Sequence, residues 1–563
     1  MREFIFGSLG LQDQRLTFVQ ELRKGIKHLN RLDPTAPGPG DQPILTVTVG
    51  QDTPVVKVVC HILEPEPMII ELNCRHSEWY TLGWAYFQSW QAQLPAFPQG
   101  TIVRYTIRAY PQNSSNPIMP DDGDIFSYLV GDPSPPEWAA SAIVYQIFPD
   151  RFHPGNGQWN RSDDLDDIFG GTLQGIIQKL DYIADLGFNC IWLNPFFPDH
   201  THHGYHATDY FAVNPRLGTA ADIRQLLDRA HALGIRVLLD FVANHWGSGH
   251  KTFQAALADR ESEYYPWYAW IDWPHDYETF FGVKDLPKIN LNHRPAREHL
   301  FEAAVYWLKD YDFDGFRLDY AMGVPMDFWT EFRAVVKAVR PDAWIFGEAT
   351  ETPNAQLRYW GRLDGNLDFL LQQAFRNTFA FDEMTLHEFD AFLNMHEAFF
   401  PQGYSRPSFL DNHDCNRFLW LVEGDKRRLK LAALCQFTLT GPPVVYYGTE
   451  VGLSQERDMV QDDRHIMAEV RLPMLWGEEQ DRQLWEYYRW LMHFRRQHPV
   501  LWNGRRQTIH LNETTKTYAY TRTNGNDHET VTVALNLSPQ PQTIPTPHRT
   551  FELAPYGGDV HVG

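Results

Sequence analysis

Two hydrophobic patterns divide the chain. From Ile44 to about Ala109 apolar and polar positions alternate, as in Ile44-Leu-Thr-Val-Thr-Val-Gly50 and Ile102-Val-Arg-Tyr-Thr-Ile-Arg-Ala-Tyr110. A period of two belongs to strands with one buried face, so this stretch predicts antiparallel strands and a small β-sandwich. Before it, Leu16, Val19, Leu22 and Ile26 stand at helical spacing and predict a helix ending near Asn30. Pro34 to Pro43 then reads as a linker, and Pro133 to Trp138 as a second.

Beyond the second linker the pattern changes to short, almost wholly apolar runs: Ala142–Pro149, Cys190–Phe197, Arg236–Asn244, Phe313–Ala321, Ala343–Thr350, Pro407–Asp414 and Pro443–Glu450. Such runs suit parallel strands covered on both faces. Helical segments lie between them, and two, Ile176–Gly187 and Ala221–Gly234, close on glycine as C-capped helices do. Repeated strand–helix units predict an α/β fold, a (β/α)8 TIM barrel. A doubly wound open sheet is the alternative, weakened because no glycine-rich dinucleotide or phosphate loop follows any run. Residues 246–294 are too many for an ordinary βα loop and predict a subdomain inserted after strand 3, over the barrel mouth. Alternation returns at Thr517–Thr523 and Thr530–Ser538 and predicts a C-terminal β-domain. The expected domains are therefore 1–135 (helix plus sandwich), 136–500 (barrel with its insert) and 501–563.

Charge narrows the choice of partners. The chain has 71 acidic residues against 49 Lys and Arg, a net charge of −22, which argues against nucleic acid and anionic membrane. No run reaches transmembrane length and the N-terminal residues lack the apolar core of a signal peptide, so a cytoplasmic enzyme is expected. Cys60, Cys74, Cys190, Cys415 and Cys435 show neither zinc spacing nor a disulfide framework.

In a TIM barrel the C-terminal strand ends point polar residues at the active site. Here strand 3 ends in Asp240, Asn244 and His245, strand 4 carries Arg317 and Asp319, strand 5 ends on Glu348, and strand 7 on Asp411, Asn412, His413 and Asp414. One Asp after a strand often only caps a helix. Four strands delivering acids, histidines and an arginine to one rim form a catalytic constellation.

These stretches closely resemble the conserved regions of the α-amylase family of glycoside hydrolases: Asp240–His245, Gly315–Asp319, Gly347-Glu348 and Phe409–Asp414, supported by Tyr145–Arg151, Gly204-Tyr205, Asp209-Tyr210 and Tyr446–Glu450. Leu286-Pro-Lys-Ile-Asn290 resembles the signature of the neopullulanase and cyclomaltodextrinase subgroup, and an N-terminal β-domain fits that subgroup. The resemblance implies a retaining hydrolase of α-glucan oligosaccharides with Asp319 as nucleophile, Glu348 as acid/base and Asp414 gripping sugar hydroxyls. It further implies hydrogen bonds to the sugar from His245 and His413, stacking by Tyr205, support of Asp319 by Arg317 and a glycone contact from Arg417. Asp240, earlier on its strand, reads as structural. Acids on adjacent strands can meet the roughly 5–5.5 Å that retention needs. Glu348 beside two aspartates is expected to have a raised pKa.

No cofactor is required by this chemistry and no metal is predicted. Relatives often hold calcium after the first strand, but Thr172 and Pro154 replace expected ligands, leaving Asn156 and Asn160 as oxygen donors; the acidic run Asp163–Asp167 reads as a solvated loop. Relatives in the subgroup often dimerise, so the resemblance admits a homodimer. After Asp319 and Glu348 the chain reads Tyr-Ala-Met322-Gly323 and Ala-Thr350, which departs from relatives and predicts roomier, less polar leaving-group subsites. Trp246, Trp267, Trp270, Trp273 and Phe281 in the insert are candidate stacking surfaces. Transfer of glycosyl units between sugars uses the same first half-reaction and is the alternative. A catalytically inactive sugar-binding protein is disfavoured because all three acids are kept.

Overall fold

Eight short parallel strands form the centre of the molecule: β1 (Val144–Ile147), β2 (Cys190–Leu193), β3 (Arg236–Val242), β4 (Gly315–Asp319), β5 (Trp344–Gly347), β6 (Gly365–Asn366), β7 (Ser408–Phe409) and β8 (Pro443–Tyr446). The computed structural model describes residues 23–81, 84–112, 114–160, 162–461, 464–524, 529–547 and 549–563. The strands pair in the order β6-β5-β4-β3-β2-β1-β8-β7, and a parallel bridge between Gly365 and Ser405 joins β6 to the chain entering β7. The sheet thereby curls into the expected barrel. Gly365 makes that junction: a Cβ there would lie 1.8 Å from the Ser405 carbonyl oxygen.

Seven of the strands fall inside the seven apolar runs. The eighth, β6, is two residues long, Gly-Asn, and has no apolar residue to make a pattern. Every residue of β1, β2, β4, β5 and β8 is buried, as strands covered on both faces require. The surrounding helices lay apolar stripes on them; Ala220–Ala232, for example, starts with a Thr219–Asp222 capping box and buries Ile223, Leu226, Leu227 and Ala230.

The N-terminal strands form a sandwich made by folding one continuous sheet. The 13-residue strand Met68–Tyr80 pairs through Met68–Leu72 with Val58–Ile62, and through Asn73–Tyr80 with Ala85–Gln91. Val47, Val58, Tyr105 and Ile107 meet in its core. The expected N-terminal helix needs correction where it can be seen: Ile26 lies in a strand, Ile26–Lys27, paired antiparallel with Thr48 and Val49. Leu16, Val19 and Leu22 lie outside the described residues.

After β3 the chain leaves the barrel through a helix (Lys251–Ala258) and a small hairpin (Trp270–Asp272 with Asp276–Tyr277), and returns to the helix Arg294–Lys309. Isolated bridges His245–Lys288, Tyr268–Ile289 and Thr279–Pro287 pin this excursion to itself and to the end of β3. At the C-terminus Arg505–Asn512, Thr517–Thr523, Thr530–Asn536 and Gly558–Val562 form an antiparallel sheet. Among the described residues no helix is long and apolar enough to cross a membrane.

Candidate active site

Strand register places the first four polar residues. Asp240 on β3 lies level with Arg317 on β4, and Val242 with Asp319. Side chains two apart share a face, so Arg317 and Asp319 point the same way. Glu348 follows β5 directly, its N–H donating to the Leu318 carbonyl at 2.9 Å. One guanidinium then gathers three acids. Arg317 Nη1 donates to Asp240 Oδ1 (2.8 Å) and Asp319 Oδ1 (2.7 Å), and Nη2 lies 2.8 Å from Glu348 Oε2. Arg317 is fully buried, its guanidinium over the Trp192 ring.

The loop after β7 supplies the fourth acid from the other side. Arg471 Nη2 donates to Asp414 Oδ1 at 2.6 Å, and His413 Nε2 lies 3.0 Å from Asp414 Oδ2. His413 Nδ1 accepts from the Gln146 amide at 2.8 Å, so its proton sits on Nε2, between Tyr205 Oη (2.6 Å) and Asp414. Tyr205 stacks on the His413 ring and donates to Asp240 Oδ2 at 2.8 Å. Burial pushes the His413 imidazole down to about 3, so it is neutral at ordinary pH.

Burial also sets the acids' behaviour. It raises Glu348, against the pull of Arg317 and with help from Asp414 and Asp240. It raises Asp319 as well, with Arg317 opposing and Glu348 adding to the rise. Asp414 goes the other way: although burial opposes this, His413, Arg471 and Arg317 hold it below the usual carboxylate range. Asp319 and Glu348 are thus coupled through one cation and titrate as a unit. The hydrogen bond from Arg317 favours the ionised form at Asp319, and the same guanidinium with the Tyr320 N–H favours it at Glu348.

A cavity of about 440 Å³ opens above these groups, with Tyr205, His245, Asp319, Glu348 and Asp414 in its wall. Of the residues expected at the site, Arg317 and His413 lie directly beneath this wall, without exposure. His245 Nε2 has no protein partner, and burial pushes its imidazole down to about 3. Arg417 requires correction. It is fully buried, donates to the carbonyls of Val470 (3.1 Å) and Tyr447 (2.7 Å), and lies over the Tyr446 ring, away from the cavity wall. The cation that reaches Asp414 is Arg471, which sequence reasoning missed because it comes from a loop 57 positions along with no periodic pattern.

The flank of the cavity after Asp319 and Glu348 is apolar, and Tyr320 partly fills it. Phe280, Val283, Leu286, Tyr320 and Met322 make one wall apolar. Tyr320 itself occupies this flank, 4.9 Å from Phe280 and 5.3 Å from Phe281 between ring centroids. Its left-handed backbone (φ 40°) turns its N–H onto Glu348 Oε2 at 3.0 Å. Gly323 makes room for the ring, since a Cβ there would lie 2.3 Å from Tyr320 Cε1. The tryptophans proposed for stacking pack the insert instead: Trp246 is fully buried against His250, and Trp267 is buried beside it. Trp270 and Trp273 tie their indoles to the Tyr265 and Ala256 carbonyls. The acidic run is not simply solvated, because Arg151 Nη2 donates to the carbonyls of Leu165 (2.6 Å) and Asp167 (2.8 Å), and Asp166 reaches the cavity wall.

Acids on neighbouring strand ends of a parallel barrel, gathered under a cavity, define a class before they define a protein. The family model "Alpha amylase, catalytic domain" matches residues 146–494, and the chain belongs to that family. Within it, the chain is 40% identical over 370 residues to Alpha-amylase 2 of Dictyoglomus thermophilum, covering 66% of this chain and 65% of that protein. It is 35% identical over 388 residues to the cyclomaltodextrinase of Thermoanaerobacter pseudethanolicus, covering 66% of each. These matches span about two thirds of the curated relatives' length. Among solved structures, the cyclic α-maltosyl-(1→6)-maltose hydrolase of Arthrobacter globiformis superposes with a TM-score of 0.71 at 31% identity, covering 76% of this chain and all of that one. A cyclomaltodextrinase gives 0.69 at 28% identity over 93% of both chains.

Proposed function

We propose that the protein is a retaining glycoside hydrolase that cleaves α-1,4 bonds in maltooligosaccharides, cyclodextrins or related α-glucans. The observation that carries this reading is the single buried guanidinium of Arg317 between Asp319 and Glu348. Two acids sharing one guanidinium stand near each other, which supports a retaining pair over an inverting pair that needs room for a water between its acids. Asp319, ionised by its hydrogen bond, attacks the anomeric carbon. Glu348, protonated, gives its proton to the departing oxygen and then takes one from the incoming water. Asp414, kept ionised, grips hydroxyls of the reacting ring and faces the positive charge that develops in the transition state. Tyr205 stacks under that ring and the free Nε2 of His245 meets a hydroxyl. His413 acts through Asp414 and Tyr205, whose positions it fixes. The reaction runs on carboxylates and imidazoles and calls on no cofactor.

The apolar flank of Phe280, Phe281 and Tyr320 beside Glu348 favours a second reading, transfer to a sugar acceptor stacked there. Incubation with maltoheptaose and β-cyclodextrin, with products followed over time, separates the two. Shorter products mark hydrolysis and products longer than the substrate mark transfer; no product from any α-glucan contradicts both. A cytoplasmic site of action is part of this proposal, supported by the similarity, at 31% identity, to an intracellular maltogenic amylase of Bacillus subtilis.

A further inference from the structure

The segment after β2 reads Asp199-His-Thr-His-His-Gly-Tyr-His206, four histidines in seven positions, and the proposed reaction uses none of them. Histidine-dense short tracts are a compositional mark of metal binding. Here the fold brings three donors together. One ligand atom each from Asp199, His200 and His206 lies within 4.8 Å of the others. His200 Nδ1 is 3.7 Å from Asp199 Oδ1, and the His200 and His206 rings stand 5.3 Å apart.

We propose that Asp199, His200 and His206 form a site for one zinc-class divalent cation at the wall of the sugar cavity, and that its occupancy slows turnover.

Three observations carry this. First, the donor set is two imidazoles and one carboxylate, the composition of three-ligand zinc sites that keep a fourth position for water. Second, the Asp199 carboxylate is already oriented. Oδ1 accepts from Thr201 N (2.6 Å), and Oδ2 from Thr201 Oγ1 (2.8 Å) and His206 N (2.9 Å). Hydrogen-bonded ligands of this kind are the outer support that metal sites use, and Oδ1, the oxygen nearer His200 Nδ1, keeps lone-pair capacity for a metal. Third, His206 Nδ1 is buried with no partner in the protein, an arrangement that costs free energy unless a ligand meets it.

Tetrahedral bonds of about 2.0–2.2 Å place ligand atoms roughly 3.4 Å apart, so the donors must close in by about an ångström. His200, with its side chain 66% exposed, is free to make that movement. The consequence for turnover, which rests on the proposed reaction, follows from position. His206 lines the cavity and Tyr205 is its chain neighbour, so a bound cation places charge in the wall beside the ring proposed to stack on the sugar.

The test is calorimetric titration of the full chain with zinc chloride, magnesium chloride as control, beside activity on maltoheptaose. His200→Ala is the informative variant because His200 lies outside the cavity wall. Expected are one zinc per chain, no magnesium binding, and activity falling over the same zinc range. His200→Ala should keep zinc-free activity and bind zinc about tenfold or more weakly, with its inhibition curve shifted equally. Absence of zinc binding, or unchanged affinity in His200→Ala, overturns the site. Binding without a change in turnover overturns its control of the reaction. Binding is read without turnover, so a wrong assignment of the reaction leaves the site testable.

Discussion

At Arg317 one guanidinium meets Asp240, Asp319 and Glu348, so a change in any of the four alters the ionisation of the rest. Replacing Glu348 by Gln removes the proposed proton donor and is expected to lower kcat/KM on maltoheptaose by about 10²–10⁴-fold. A maltosyl fluoride, whose leaving group needs no proton, should lose far less; equal losses on both substrates contradict the acid role. The same variant has a stability signature. The folded-state pKa of Glu348 is raised, so stability present below the unfolded value, about 4.3, is lost as pH rises through the folded value. Glu348→Gln escapes that loss. Its Tm relative to the parent should therefore rise between pH 4 and pH 8, and a difference flat with pH contradicts the raised pKa. Sequence alone exposed this residue-level machinery where acids stand at strand ends, as Asp319 and Glu348 do. It misplaced Arg417 and missed Arg471, because loop conformation decides which buried arginine reaches Asp414.

Elements were legible in proportion to their apolar content. β1 to β5, β7 and β8 lie in almost wholly apolar runs, whereas β6 is Gly365-Asn366 and is defined by backbone pairing alone. That pairing makes Gly365→Ala a sharp test of barrel closure. The added methyl meets the Ser405 carbonyl, and the substitution is expected to cost about 3 kcal/mol or more, read as a fall in the urea midpoint. A near-neutral result would show that β6 and β7 are not held together as described. Ile26 marks a different limit. Its helical spacing to Leu22 is real, but local periodicity is overridden when an edge strand can pair with Thr48 and Val49. The insert's tryptophans were legible as aromatics and not as packing, since burial depends on the bridges that fold the excursion back.

At the scale of the molecule, the sandwich and the barrel share buried polar contacts. Arg362 is enclosed, donating to the Ser127 carbonyl (2.5 Å) and lying 3.3 Å from Asn30 Oδ1, while Arg333 donates to Asp364 (2.6 Å) and to the Asp132 carbonyl (3.2 Å). Separating the two parts would exchange these charge-assisted hydrogen bonds for water, at about 1.5–3 kcal/mol each. Calorimetry of the full chain should accordingly show sandwich and barrel melting in one transition; two resolved transitions contradict this coupling. The central claim concerns what the assembled site does to the anomeric carbon, and the sugar's own stereochemistry reports it. Proton NMR of maltoheptaose hydrolysis in its first minutes, before mutarotation, reads the configuration of the newly formed reducing end. Retention through Asp319 predicts the α-anomer as first product; the β-anomer as first product would contradict it.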